Sequence, residues 1–285
     1  MKLPSDIPCQ SWYQAVKIRT SRRKYLSDSL KHETIDALLH KINPLQKILE
    51  SARIVISSDG FDDIIWTVVG SYGLVTGAET YAVIIQDKNC GDFKAEVEAG
   101  LLGEALILEA AANKIDTCWV GGMFEKDEIV SRHEMNESEE IAAITPLGRA
   151  REKLTLTEKL AKKLAGSHRR KPLLELCTNN YSEKKLQQLP DWMLEAVKSA
   201  RLAPSALNRQ PWRFEFFPNE NKLKLKAAQL KKDHDISPWL DCGIALLHLL
   251  LGAKSVIRKF SDDDFNDVEY NLLTPPFIAE LSPAK

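Results

Sequence analysis

The sequence predicts an α+β protein made of two related halves. Helical and strand-like hydrophobic patterns both recur along its 285 residues, the first with a period near 3.6 and the second with a period of two. Two almost wholly apolar helical passages also echo each other. Glu98-Ala-Gly-Leu-Leu-Gly-Glu-Ala-Leu-Ile-Leu108 parallels Asp241-Cys-Gly-Ile-Ala-Leu-Leu-His-Leu-Leu-Leu251, with Gly100 aligned on Gly243 about half a chain later. Between them, Arg201-Leu-Ala-Pro-Ser-Ala-Leu-Asn-Arg-Gln-Pro-Trp-Arg-Phe214 runs from an amphipathic helix through a polar turn into a strand.

The elements follow in order. Residues 11–18 have helical spacing, with Trp12, Ala15, Val16 and Ile18 facing inward. A second amphipathic helix covers 32–49 and is broken near Asn43-Pro44, because proline removes a helical donor. Residues 53–57 form a short strand, 70–77 a loop, and 81–85 a buried strand. The passage 96–113 is apolar almost all round, which predicts a central helix covered on every side. Residues 117–120 are strand-like and end at Gly121-Gly122; 125–132 is a short capped helix; 141–144 is a strand running into a turn at Pro146-Leu-Gly148. The charged stretch 155–170 is a surface connection or helix that Pro172 ends. Residues 191–201 are helical, anchored by Trp192, Leu194, Ala196 and Val197, and Pro204 stops them. Residues 213–217 alternate as a half-buried strand, 222–226 as an edge strand, and 239–255 form the second apolar helix. After Phe260 the chain turns acidic, then Pro-rich, and is expected to wrap along the surface.

Composition bounds the function. The hydrophobic share is 44%, the charged share 28% and the net charge −1. These are ordinary globular values, and the charge argues against a general nucleic-acid binder. Cys9, Cys90, Cys118, Cys177 and Cys242 are scattered, odd in number and without C-x-x-C spacing. That fits reduced thiols in the cytoplasm better than a disulfide framework or a zinc site. The N-terminus has no apolar stretch of signal-peptide type. Residues 244–253 span about half the length a membrane helix needs, so they read as a buried core helix and no membrane association is expected. No H-E-x-x-H, P-loop, G-x-S-x-G or G-x-G-x-x-G pattern occurs, so neither a metal nor a Rossmann dinucleotide site is expected.

Four clusters carry chemistry. Arg19-Thr-Ser-Arg-Arg-Lys24 places guanidinium groups and a hydroxyl just past a helix. Guanidinium forks match phosphate oxygens, although taken alone the run also reads as a solvated basic face. Pro204-Ser205-Ala-Leu-Asn208-Arg-Gln210 offers a hydroxyl and amides in a turn. Gly121-Gly122 permits close backbone approach to a flat ring, and by itself is equally a plain turn. His168-Arg169-Arg170-Lys171 is a charged linker or a second phosphate contact. His248, in an apolar helix, reads as a satisfied core residue.

These spellings resemble the nitroreductase family. Residues 203–214 resemble its flavin-contacting turn, A-P-S-x-x-N-x-Q-P-W-x-F. Arg19, Ser21 and Arg23 fall on its R-R-S-x-R-x-F signature, with Thr20 replacing the second basic residue. Thr117-Cys-Trp-Val-Gly-Gly-Met-Phe124 is similar to its T-C-W-I-G-x-F stretch, although Ile115-Asp116 replaces the usual glycine-rich approach. Arg170 best matches its closing basic segment, and His168 less closely.

The resemblance implies a three-layer sandwich of mixed, mostly antiparallel sheets with helices. It further implies bound FMN and NAD(P)H as co-substrate. Arg19 and Arg170 would contact the phosphate, Ser21 and Arg23 the ring's polar edge, Gly121 and Gly122 the N5 region, and Pro204, Ser205 and Asn208 the ring from across an interface. Ordinary members are homodimers carrying both motifs near the N-terminus. Here the motifs lie at 19–25 and 204–212. The chain therefore resembles the single-chain, two-half branch, the TM nitroreductases: a dimer folded within one polypeptide. The implied halves are 1–172 and 173–285, pseudo-symmetric, in a monomer holding one flavin. The implied activity is hydride transfer from NAD(P)H through the flavin to a small electron-poor substrate such as a nitroaromatic or quinone. Arg23 would tune the ring, and no side chain need act as acid or base. The rival readings are a flavin-storage protein without turnover and a structural homologue without cofactor.

Overall fold

The computed structural model describes residues 1–65, 75–122, 124–151, 169–178, 181–228, 237–257 and 267–284. Among these, eight α-helices and eight strands form an α+β fold with two antiparallel four-stranded sheets. In chain order they are α1 (Cys9–Ile18), α2 (His32–Ile48), β1 (Ala52–Ser57), β2 (Thr80–Asp87), α3 (Asp92–Ala112), β3 (Asp116–Thr117), α4 (Lys126–Arg132) and β4 (Glu139–Gly148). There follow α5 (Leu173–Leu176), α6 (Glu183–Gln187), α7 (Asp191–Ala200), β5 (Trp212–Phe217), β6 (Lys222–Ala227), α8 (Pro238–Ile257), β7 (Asp267–Leu272) and β8 (Phe277–Ala284). The sheet orders are β1-β2-β4-β3 and β5-β6-β8-β7.

Hydrophobic pattern explains the layering. In β2, Ala82 and Ile84 join the main core, while Tyr81, Val83 and Ile85 join a second cluster with Phe61, Ile64, Phe124 and Ile129. Both faces of this strand are covered, which is why its sequence is a continuous apolar run rather than an alternation. In β5 and β6 burial alternates residue by residue, so only one face of that sheet enters the core. The helices α3 and α8 are buried on all sides. Helix α3 packs on the first sheet, α8 on the second, and the two pack on each other.

Glycines set the closeness of that crossing. A Cβ on Gly100 would lie 2.1 Å from the Leu240 carbonyl oxygen, and one on Gly243 would lie 2.0 Å from that of Val97. The two residues aligned in the sequence echo therefore face the opposite helix at one contact, where backbone meets backbone. Helix α8 is apolar enough to cross a membrane by composition, but 94% of its apolar window is buried inside the protein. It is the core helix expected.

Several expectations need correction. Helix α2 runs through Pro44 without a break; Ile42 and Leu45, buried on either side of it, hold the helix where propensity alone would end it. Ile18 is 64% exposed, not an inward anchor, since α1 ends there. In α7 Met193 is buried and Leu194 only partly so. Strand β6 is interior, between β5 and β8; its lysines alternate because one sheet face is wet, not because it is an edge. Pro146-Leu-Gly148 lies inside β4 rather than in a turn. Of residues 117–120, only Thr117 belongs to a strand, and Val120 makes an isolated bridge to Ile144. No side chain caps α4. The chain after 266 is no surface wrap: it supplies two strands, with Val268 and Tyr270 of β7 and Ile278, Ala279 and Leu281 of β8 buried. The stretch 155–168, including His168, lies outside the described residues, as do 70–74 of the expected loop.

Candidate functional site

The first wall of the site is the segment after α1. Ser21 bridges to Thr117 in parallel, and the Arg22 N–H donates to the Thr117 carbonyl at 2.9 Å. Thr117 in turn pairs with Leu147 of β4. Val120 exchanges two backbone hydrogen bonds with Ile144, each 2.9 Å. The basic segment and the Trp119–Gly122 stretch are therefore neighbours, fixed by backbone bonds. Among the described residues, a Cβ on Gly122 would meet nothing within 4 Å.

The second wall is the turn between α7 and β5. Arg170 donates through Nη1 to Asn208 Oδ1 and through Nη2 to the Leu202 carbonyl at 2.9 Å. Asn208 Nδ2 donates to the Arg169 carbonyl at 2.9 Å. Gln210 Oε1 accepts from the Lys171 N–H at 2.9 Å, and the Gln210 N–H donates to Ser205 Oγ at 3.0 Å. Leu207, Asn208 and Gln210 have φ of 50, 55 and 49°. Left-handed backbone in non-glycine residues costs of order 1–3 kcal/mol each and persists where the surroundings over-determine it.

Between the walls lies a buried polar cluster. Glu104 of α3 is fully buried. Its Oε2 accepts from Trp119 Nε1 at 2.7 Å, and its Oε1 lies 2.9 Å from His248 Nε2 and 3.8 Å from Arg19 Nε. Trp119 can reach it because Gly103 is small: a Cβ there would lie 2.4 Å from the Trp119 ring. His248 Nδ1 is 3.2 Å from the Ser199 carbonyl oxygen. A carbonyl only accepts, so Nδ1 carries a proton. The Nε2–Glu104 hydrogen bond then ties α8 to α3 at this point. Glu104 is the carboxylate nearest Arg19 in this cluster, yet the buried Nε and Nη1 of Arg19 have no hydrogen-bond partner among the described residues.

Arg170 belongs to the same field. Its guanidinium is lowered to about 10, first by burial, then by the Arg19 guanidinium, with Glu104 opposing and Arg201 adding to the fall. It stays cationic at neutral pH. Arg19, Arg170 and Asn208 thus converge, although they are distant in sequence. Arg23 is buried, and its charge, with that of Arg22, partly offsets the burial that drives the Tyr25 phenol well above its ordinary range. Ser21 and Gly121 follow the first wall; Pro204 and Ser205 follow the second.

Sequence reasoning did not single out Glu104 or Asp241. Glu104 is one of four buried glutamates on α3, which the sequence does not tell apart, whereas Asp241 is the one acidic residue of an otherwise nearly apolar helix, a signal that a buried charge must find partners. His248 is the satisfied core residue expected, with both ring nitrogens engaged. Asp241, in the first turn of α8, accepts from the Ala206 N–H at 3.0 Å and from Arg209 Nε at 2.7 Å. Burial pushes its carboxyl up to about 6, against the opposing pull of Arg209 and the Ala206 N–H. The folded state therefore binds this proton more tightly than the unfolded chain, whose carboxyl sits near 3.8. Stability falls as pH rises from about 4 through 6 and is lower by about 3 kcal/mol above pH 7. Asp241→Asn should remove that slope and raise the urea midpoint at pH 8 but not at pH 3.5; equal midpoints at pH 8 would contradict the assignment.

The sequence matches a family model described as "Putative TM nitroreductase" over residues 11–253. The structure of a putative nitroreductase from Thermotoga maritima MSB8 is similar at 19% identity, with 95% of this chain and 92% of that chain covered and a TM-score of 0.59. An FMN-dependent nitroreductase from Clostridium difficile R20291 is 18% identical, covering 50% of this chain and 88% of its own, with a TM-score of 0.41. A nitroreductase family protein from Clostridium difficile 630 is 16% identical, covering 60% and 98%, with a TM-score of 0.43. No curated protein matches the sequence.

Proposed function

The chain belongs to the family described as putative TM nitroreductases, and from that premise we propose that it is an FMN-dependent oxidoreductase. In this reading it takes hydride from NAD(P)H and delivers it to a small electron-poor acceptor, a nitroaromatic or a quinone. One observation carries the reading. The buried Arg19 guanidinium has two nitrogens without hydrogen-bond partners among the described residues and lies close enough to Arg170, which meets the Asn208 turn, to lower that arginine's pKa. An anion such as a flavin phosphate would satisfy it.

Arg19 and Arg170 hold the phosphate. Ser21 and Arg23 face the polar edge of the ring, where Arg23 supplies positive charge against the negative charge that reduction creates. The backbone N–H groups of Gly121 and Gly122 orient the ring at N5, and the open space at Gly122 leaves room for a flat group. Pro204, Ser205 and Asn208 close the site from the second half. FMN, when bound, supplies the redox chemistry itself by accepting and passing on a hydride. The protein's part is to bind, orient and set the local charge.

The reading includes one flavin per chain in a cytoplasmic monomer whose halves, 1–172 and 173–285, form an internal dimer-like interface. The shared strand order of the two sheets and the Gly100–Gly243 contact favour related halves.

Arg19→Ala should weaken FMN binding roughly ten- to a hundredfold, the effect of losing one charge-assisted contact. Flavin retained through desalting at wild-type stoichiometry would count against Arg19 as a phosphate ligand. Stopped-flow reduction of the bound flavin by NADH or NADPH tests turnover: a spectrum that stays oxidised with both would leave a flavin-binding protein in place of an enzyme.

A further inference from the structure

We propose that Asp241 is a positioning residue that clasps the Ser205–Gln210 turn in its ligand-receiving shape. The inference rests on the reading of that turn as the flavin-contacting one, and deepens it. Asp241 is 2% exposed. Its two oxygens grip the turn at two points, Oδ1 at the Ala206 N–H (3.0 Å) and Oδ2 at Arg209 Nε (2.7 Å). Between those points lie Leu207 and Asn208, both left-handed, with Gln210 left-handed just beyond. An isolated Leu–Asn pair would leave that region of backbone space. The grip on either side forbids relaxation, and it fixes Asn208 where Arg170 meets it.

The carboxylate comes from the first turn of α8, beside the Gly100–Gly243 crossing. The turn is therefore referenced to the most closely packed point of the core, not to another loop. A desolvated carboxylate here lowers global stability at neutral pH, as derived above, and asparagine would avoid that. Groups that cost stability while holding a strained segment are characteristic of sites shaped for a ligand.

Two kinds of measurement on Asp241→Asn test the clasp. Asparagine keeps an acceptor for Ala206 but loses the charged grip on Arg209. Hydrogen exchange in the flavin-free protein should speed up by about tenfold or more at 205–210, with β2 amides unchanged. FMN and riboflavin should both bind about tenfold more weakly, while the pH 8 unfolding midpoint rises. A purely structural role would move affinity and stability down together. Arg209→Gln breaks the other end and should loosen the same amides. Unchanged exchange at 205–210 in both variants overturns the clasp, and so does faster exchange with unaltered flavin affinity. Should wild-type protein bind neither FMN nor riboflavin, the flavin reading fails, and the exchange data alone still decide whether Asp241 holds the turn.

Discussion

Gly243→Ala is expected to destabilise the protein by about 3 kcal/mol or more, the upper range for overpacking a closed core. The added methyl would sit 2.0 Å from the Val97 carbonyl oxygen and 2.9 Å from its carbonyl carbon. Those atoms are backbone of a buried helix, so no side-chain rotation relieves the clash and two central helices must move apart. Gly100→Ala should behave alike, since its Cβ would meet the Leu240 carbonyl oxygen at 2.1 Å. For a chain of this size the loss corresponds to a fall of roughly 5–10 °C in the thermal midpoint. Gly122→Ala is the control: open space surrounds that Cβ, and fold stability should change by less than about 0.5 kcal/mol. Calorimetry of the three variants checks the ranking. An unchanged midpoint for Gly243→Ala would mean that the helices do not cross at these glycines.

Glu104→Leu should cost about 3–5 kcal/mol, the range for removing one member of a buried charged group. Trp119 Nε1 and His248 Nε2 would lose their acceptor, and Arg19 would lose its one carboxylate neighbour within the cluster. Glu104→Gln is the informative partner. Its amide oxygen still accepts from one donor, so the loss should be markedly smaller. Equal urea midpoints for wild type and Glu104→Leu would show that the cluster contributes nothing to folding.

How far the sequence reveals this architecture follows from where signals are local. Apolar passages around Gly100 and Gly243 announce buried helices because burial is written in every residue of them. The alternation of 213–217 announces β5 for the same reason. The course of α2 through Pro44 was hidden, because tertiary packing of Ile42 and Leu45 overrides a local breaker. Position within a sheet was hidden too: Lys222, Lys224 and Lys226 report a wet face, and no local pattern tells an interior strand from an edge. The strands after 266 were missed since short, proline-bearing segments carry little periodicity. At the candidate site, the sequence singles out Arg19, Ser21, Arg170, Ser205 and Asn208 by their spelling. The approach of Arg19 to Arg170 and Asn208 was not legible, because it depends on contacts made only in the fold. Asp241 was invisible as a contact: it meets Ala206 and Arg209 only through the fold.

The meeting of Gly100 and Gly243 also bears on how such a chain comes to be one molecule. Each of those helices lines the other's groove, so neither is covered without the other. A ribosome that had released only the N-terminal portion would have made a sticky intermediate, with one face of α3 uncovered until α8 emerges. Joining both portions in one polypeptide fixes their ratio at one to one and keeps them within reach of each other.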